Sequence, residues 1–292
     1  MRLIPLLPLE GAQRFGAAVG LLASWLPGRR KKRLREHLAL AFPEKSQSER
    51  DALGRQAWIS MAMLASEGLW VSAWKPEDAS RLVVDTPEPW ERSLAMARAS
   101  GKGLVIFAAH MGPLEVLARW FPTALGFPVA CIAAEPKDLI VEELSKLIRQ
   151  SGGLNLIYRG EAATASMRHL RNGGALMMLV DHNIKGRGVL VPFFGHPAHT
   201  TLAPARLALQ SGAVANTFFC VRDGWGKFRL FCGEPMVLPT LPRDPESRFR
   251  VEAELAAEYT RRIEQAIRAH PEQYLWMHRR WEERSDSLPY PS

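Results

Sequence analysis

Cysteine is scarce in this 292-residue chain. There are three, Cys131, Cys220 and Cys232, widely spaced and with no Cys-x-x-Cys pair. That argues against a disulfide framework or a thiolate zinc site and leaves each as a small apolar residue suited to a reducing compartment. Long hydrophobic runs are also lacking. Residues 15–27 (FGAAVGLLASWLP) fall short of the ~20 needed to span a bilayer, and Glu10, Gln13 and Arg14 divide them from residues 3–9 (LIPLLPL). No A-x-A cleavage site precedes a polar start, so a secretory signal is not expected. Negative charge is in deficit: 30 Asp and Glu stand against 38 Lys and Arg, a net charge of +8. An excess of that size predicts an anionic partner. Nucleic acid is not expected, because the nine tryptophans are scattered and no nucleic-acid module is present.

The N-terminal apolar stretch is followed by Gly28-Arg29-Arg30-Lys31-Lys32-Arg33-Leu34-Arg35. An apolar anchor beside a basic cluster predicts a segment lying in a membrane interface with its charges on anionic head groups. The competing reading is a buried N-terminal helix ending in a solvated basic turn. Residues 1–28 are therefore expected to associate with a membrane. Residues 29–292 are read as one domain, helical over 29–100 and α/β over 101–292.

From residue 101 the pattern alternates. Gly103–Ala109 (GLVIFAA) has the length and continuous apolarity of a strand buried on both faces. Further strands are predicted at 129–134, 154–158, 175–180, 188–194, 213–221 and 227–232. Helices are predicted at 113–121, 138–150, 161–171, 201–210 and 247–269. Strands alternating with helices predict an α/β fold around a central, largely parallel mixed sheet flanked by helices.

The chemistry centres on His110-Met111-Gly112-Pro113-Leu114-Glu115. His110 follows a buried strand. Gly112 suits an N-cap and Pro113 the first helical position, where its missing N–H costs nothing. Glu115 then falls in the first turn and is able to fold back towards His110. A carboxylate beside an imidazole fixes its tautomer and supports the imidazolium formed on proton abstraction, although a first-turn Glu often only caps its helix. The amides at the helix start offer oxyanion donors. Arg159 and Asp181 follow other predicted strands, at the sheet edge where ligands of open α/β sheets bind. Arg149 lies in the preceding helix. His182, His196 and His199 are irregularly spaced in a mixed loop context, so no metal site is expected.

With those residues in place the chain resembles the lipid A biosynthesis acyltransferases, relatives of the glycerolipid acyltransferases. His110 to Glu115 matches the family's His-x4-Glu block, often His-Phe-Gly-Asn-Trp-Glu. Arg149 matches an arginine in the helix after it, and Asp181 the aspartate of an Asp-Gln pair in which His182 replaces glutamine. Val189–Ala198 is similar to the Val-Pro-Phe-Phe-Gly segment, and Pro271–Trp281 to a C-terminal signature. The resemblance implies transfer of a fatty acyl group from acyl carrier protein to a hydroxyl of an anionic lipid A precursor, at the cytoplasmic face of the bacterial inner membrane. His110 is implied as general base and Glu115 as its support. Arg149, Arg159 and Asp181 are implied to bind substrate, with Arg279 and Arg280 as further phosphate candidates. No cofactor is implied. A different lipid or glycolipid acceptor, a thioesterase and a non-enzymatic binder of anionic membranes remain as alternatives.

Overall fold

The computed structural model describes residues 4, 7–71, 83, 88–126, 128–133, 154–158, 160, 162–183, 188–281 and 287–291. The predicted helix at 138–150, with Arg149, and the strand-end residue Arg159 lie outside them.

Sequence decides the central element. Leu104–Ala108 (β1) is apolar at every position and buried at every position. Its alternate side chains feed two cores. Val105 and Phe107 face one core, and Leu104, Ile106 and Ala108 the other. Around it run Val129–Ala133 (β2), Leu154–Tyr158 (β3), Ala175–Leu179 (β4), Val214–Arg222 (β7) and Phe228–Cys232 (β8). The spatial order is β3-β2-β4-β1-β7-β8, parallel except for β8 at one edge. The predicted α/β class is therefore the observed one.

Helices cover both faces. Glu88–Ser100 (α4) and Leu114–Leu125 (α5) cover one, where Trp90 packs on Phe218 with ring centroids 4.4 Å apart. Ala203–Ser211 (α7) and Pro245–Ala269 (α8) cover the other, with Tyr259 against Phe107 at 4.5 Å. Ala162–Arg171 (α6) precedes β4. Asp244 caps α8, its carboxylate accepting from the Ser247 N–H at 2.8 Å.

A smaller sheet joins Gly188–Phe193 (β5), His196–Thr201 (β6) and Ser287–Leu288 (β9). The sequence reading has the strand at 188–194, Pro192 included, but not β6, in which Pro197 argues against a strand. Pro192 and Pro197 belong to the two paired strands. They sit directly opposite one another, in a hairpin whose two-residue turn is Phe194-Gly195. Both turn residues have positive φ, 52° and 76°, which gives a type I′ turn. Phe194 is held there by its N–H, which donates to Glu264 Oε2 at 2.6 Å.

The N-terminal helices are Leu9–Trp25 (α1), Arg29–Ala41 (α2) and Gln47–Val71 (α3). The basic run thus starts inside a helix rather than ending one. Helix α1 docks through small residues. A Cβ on Gly20 would lie 2.6 Å from the Ile59 Cα and 2.8 Å from the Trp58 carbonyl, and one on Gly16 would lie 2.8 Å from the Met63 Cα. At an exposed helix position Gly→Ala stabilises by about 1 kcal/mol. Here the sign reverses: Gly20→Ala lowers the thermal midpoint, because overpacking against backbone costs about 1–3 kcal/mol. A melting curve above that of the wild type contradicts this docking. Among the described residues no helix is long and apolar enough to cross a membrane.

Candidate active site

Strands β1 and β4 are parallel neighbours in a register that sets Ala108 opposite Leu179. Two residues beyond each stand His110 and Asp181, and the pair meets for that reason. Asp181 Oδ1 lies 2.8 Å from His110 Nδ1, and its Oδ2 accepts from the His110 backbone N–H at 3.0 Å. The Asp181 side chain is 3% exposed and that of His110 20%, so the anion is sealed while the imidazole still reaches the surface.

Burial pushes the Asp181 carboxyl up, but the charge, ring N–H and backbone N–H of His110, with the charge of His182, together outweigh it. The group is held well below the usual carboxylate range. An ionised carboxylate accepts only, so Nδ1 carries the proton and Nε2 is left as the basic nitrogen.

The segment after His110 is fixed from the C-terminal end of the chain. The 3₁₀ turn Pro271–Gln273 leads into Tyr274 and Leu275. Gly112 N–H donates to the Gln273 carbonyl at 2.8 Å, and Leu275 N–H donates to the His110 carbonyl at 3.0 Å. Gly112 is left-handed, φ 62°, and a Cβ there would overlap the Cys220 carbonyl oxygen of β7. Helix α5 consequently starts one residue later than the sequence suggests, with Pro113 at its N-cap. The amide of Gly112 is taken by Gln273, that of Leu114 turns back on the Gly112 carbonyl, and Pro113 has none. The expected oxyanion role therefore does not fall to these three.

Glu115 lies in the first turn of α5 and is partly buried. The carboxylate on Nδ1 of His110 is Asp181, which the sequence reading had assigned to substrate binding. Arg280 is not a surface phosphate ligand. It is 2% exposed, donates to the His199 carbonyl and to Thr200 Oγ1 (2.9 Å), and lies over the Phe193 ring. Arg279 is exposed.

Two residues of the site were missed as such. The His182 ring lies on that of His110, centroids 3.5 Å apart and planes 3° from parallel. His278 lies on the other side of His182 at 3.9 Å and 18°. The C-terminal resemblance contained His278, but nothing in its spacing placed it beside His110. Burial pushes His278 down to about 4, with Asp181 pulling the other way and His110 and Arg280 adding to the drop. His110, Asp181 and His182 have ligand-type atoms within 4.8 Å of one another. Face-to-face rings aim their in-plane lone pairs along parallel planes, however, and these do not converge on one ion. His196 and His199, on β6, are not part of this group.

A cleft opens beside His110. It is lined by Ala57, Ser60, Met61 and Leu64 of α3, by Gly112 and Leu114, and by Gln273, Tyr274 and Leu275. The thiols of Cys220 and Cys232 are pushed up by burial, so neither supplies a thiolate nucleophile.

A base with a fixed tautomer beside a small cleft suits proton abstraction from a hydroxyl. Comparison with known proteins gives that chemistry a family. Residues 1–283 match the family described as bacterial lipid A biosynthesis acyltransferase. The chain belongs to that family. It is 27% identical to the lipid A biosynthesis lauroyltransferase of Escherichia coli (strain K12), over 98% of this chain and 90% of that one. It is 26% identical to the lipid A biosynthesis palmitoleoyltransferase of the same organism, over 92% and 84%. A phosphatidylinositol mannoside acyltransferase of Mycolicibacterium smegmatis (strain ATCC 700084 / mc(2)155) is 25% identical over 67% and 65%. The relatives thus share acyl transfer in their names while their acceptors differ. In this acyltransferase, the residue that follows the site aspartate is His182.

Proposed function

We propose that this acyltransferase moves a fatty acyl chain from acyl carrier protein to a hydroxyl of a lipid A precursor at a membrane surface, with His110 as general base. The observation that carries it is the His110–Asp181 pair, in which the second ring nitrogen makes no hydrogen bond among the described residues and His110 lines the cleft. Nε2 takes the proton of the acceptor hydroxyl as its oxygen attacks the thioester carbonyl. The C–S bond then breaks, and the departing thiolate recovers the proton from the imidazolium. The products are an ester and a free thiol. Asp181 holds the ring and balances the imidazolium charge. Glu115 adds a second negative charge on the first turn of α5. Arg149 and Arg159 are assigned to the anionic groups of the acceptor.

Membrane docking is supported by an inverted helix. Helix α1 buries Leu9 at its start and after it only Ala12, Gln13, Gly16, Gly20 and Ser24, while its remaining large apolar residues, with Leu26 at the C-cap, are exposed. Phe15 is 52% exposed, Leu22 62%, Trp25 67% and Leu26 66%. Apolar residues normally fill the buried face, so such a stripe marks a contact surface. Beside it Arg29, Arg30 and Lys32 are exposed in the first turn of α2, where the helix dipole disfavours positive charge. Anionic head groups compensate that repulsion. The proposed site of action is the cytoplasmic face of the bacterial inner membrane.

Incubation of the purified protein with acyl carrier protein thioesters and a lipid A precursor is expected to yield acylated lipid and free carrier thiol. Free fatty acid without acylated lipid makes it a thioesterase. Vesicle binding with no thioester consumed makes it a binder. Acylation confined to another lipid corrects the acceptor. Exchanging Phe15, Leu22, Trp25 and Leu26 for serine removes about 1 kcal/mol of docking energy each, so partition onto anionic vesicles falls about 10²–10³-fold. Unchanged sedimentation with vesicles removes α1 from the docking face.

A further inference from the structure

The three stacked imidazoles carry more than the proton transfer requires. Asp181 fixes one edge of the His110 ring, but a single hydrogen bond still permits the ring to swing about its Cβ–Cγ bond. A flip would replace Nδ1 by carbon at Asp181 and remove the basic nitrogen from the cleft. The His182 ring covers one face of His110 at 3.5 Å. His278 backs His182 at 3.9 Å. His278 is itself anchored, its Nε2 accepting from the Asn183 backbone N–H at 3.1 Å, while Asn183 Nδ2 donates to the Arg279 carbonyl at 3.2 Å. The chain end that locks the His110 carbonyl through Leu275 therefore also locks its ring.

We propose that His182, backed by His278, is a positioning residue of the transfer reaction: a flat ring that holds the His110 imidazole in the plane joining Asp181 to the reacting hydroxyl. This rests on the reading of His110 as the base. The contribution comes from shape and dispersion between parallel rings, and no proton passes through His182. Among the described residues, the charged and titratable groups coupled to the stack include Asp181, Arg280, Tyr274 and His37. Because His278 accepts a hydrogen bond at Nε2 and burial disfavours its charged form, the outer ring stays neutral and adds no repulsion when His110 becomes an imidazolium.

Two variants separate shape from chemistry. His182→Ala removes the ring. His182→Phe keeps a flat ring and removes both nitrogens. Loss of a positioning contact near the reacting atoms lowers kcat by about 10–10²-fold. That loss is expected for His182→Ala, with KM unchanged, and His182→Phe is expected to recover most of it. In parallel, the Hε1 resonance of His110, assigned with His110→Gln, is expected upfield under the ring current of its neighbour. It should move downfield in His182→Ala and stay in His182→Phe. A His182→Ala enzyme with wild-type kcat and an unmoved resonance overturns the brace. So does a His182→Phe enzyme as impaired as His182→Ala, which would give the His182 nitrogens the role instead. The resonance decides the brace without turnover: a wild-type protein with no transferase activity refutes the proposed function and leaves this test standing.

Discussion

His110→Ala is expected to lower kcat for acyl transfer by about 10²–10⁴-fold, the contribution of a positioned general base, and to leave the fold intact. The His110 side chain is partly exposed, and the neighbouring backbone bonds do not depend on it. Asp181→Asn should fall almost as far, for a different reason. Asp181 accepts twice, from the His110 backbone N–H and from Nδ1. Asparagine has one acceptor oxygen. The backbone N–H has no other role, so it claims that oxygen and turns the side-chain NH₂ onto Nδ1. The ring proton then moves to Nε2, and the base is lost. Stability shifts as well. The carboxyl of folded Asp181 titrates below its ordinary 3.8, so its contribution is complete above that pH and is lost as pH falls through it towards the folded value. Wild type is therefore expected to lose more stability than Asp181→Asn on acidification below pH 3.8. Initial rates together with melting curves across pH check both expectations. A His110→Ala enzyme with wild-type turnover sinks the assignment.

Glu67→Ala is expected to be the most destabilising single change. Glu67 is fully buried on α3. It accepts from Arg222 Nε at 2.8 Å and Arg222 NH2 at 2.7 Å, and from Gln13 Nε2 at 2.9 Å. The Arg222 guanidinium also reaches Ser60 Oγ at 2.8 Å, and the Arg222 backbone exchanges hydrogen bonds with the side chain of Gln273. The cluster ties α1, α3, the end of β7 and the turn that holds Gly112. Removing the carboxylate leaves a buried, uncompensated guanidinium, which costs about 3–5 kcal/mol and lowers the midpoint by roughly 10 °C. The double variant Glu67→Leu/Arg222→Met removes both charges and should recover much of the loss. Thermal melts of both proteins decide it. A single variant as stable as the double one would show that the guanidinium is not stranded.

The site was partly legible in the chain. His110 declared itself through a strand-length apolar run, a Gly-Pro turn and a first-turn carboxylate. Its partner did not. Asp181 was recognised as a strand-end residue, but pairing it with His110 needs β1 and β4 to be neighbours, and two strands intervene between them in the chain. Strand order is a property of sheet assembly, to which local patterning is blind. Glu115 was given the orienting role because it is near in sequence, whereas the carboxylate on Nδ1 comes from 71 residues away. His278 was hidden for the same reason, its distance from His110 being closed by bonds to the backbone of residues 110–112 and to Asn183.

What the sequence determined by itself was the buried β1 strand, the alternation that makes an α/β sheet, the basic excess and the residue types for acid–base chemistry. These follow from periodicity, composition and turn chemistry, which are local. The tertiary structure decided which carboxylate meets the imidazole, that three histidines share a stack, that Arg280 is an internal brace, and that α1 turns most of its large apolar side chains outwards. Each depends on which distant surfaces come together: on parallel register in the sheet, and on glycines that let one helix backbone approach another.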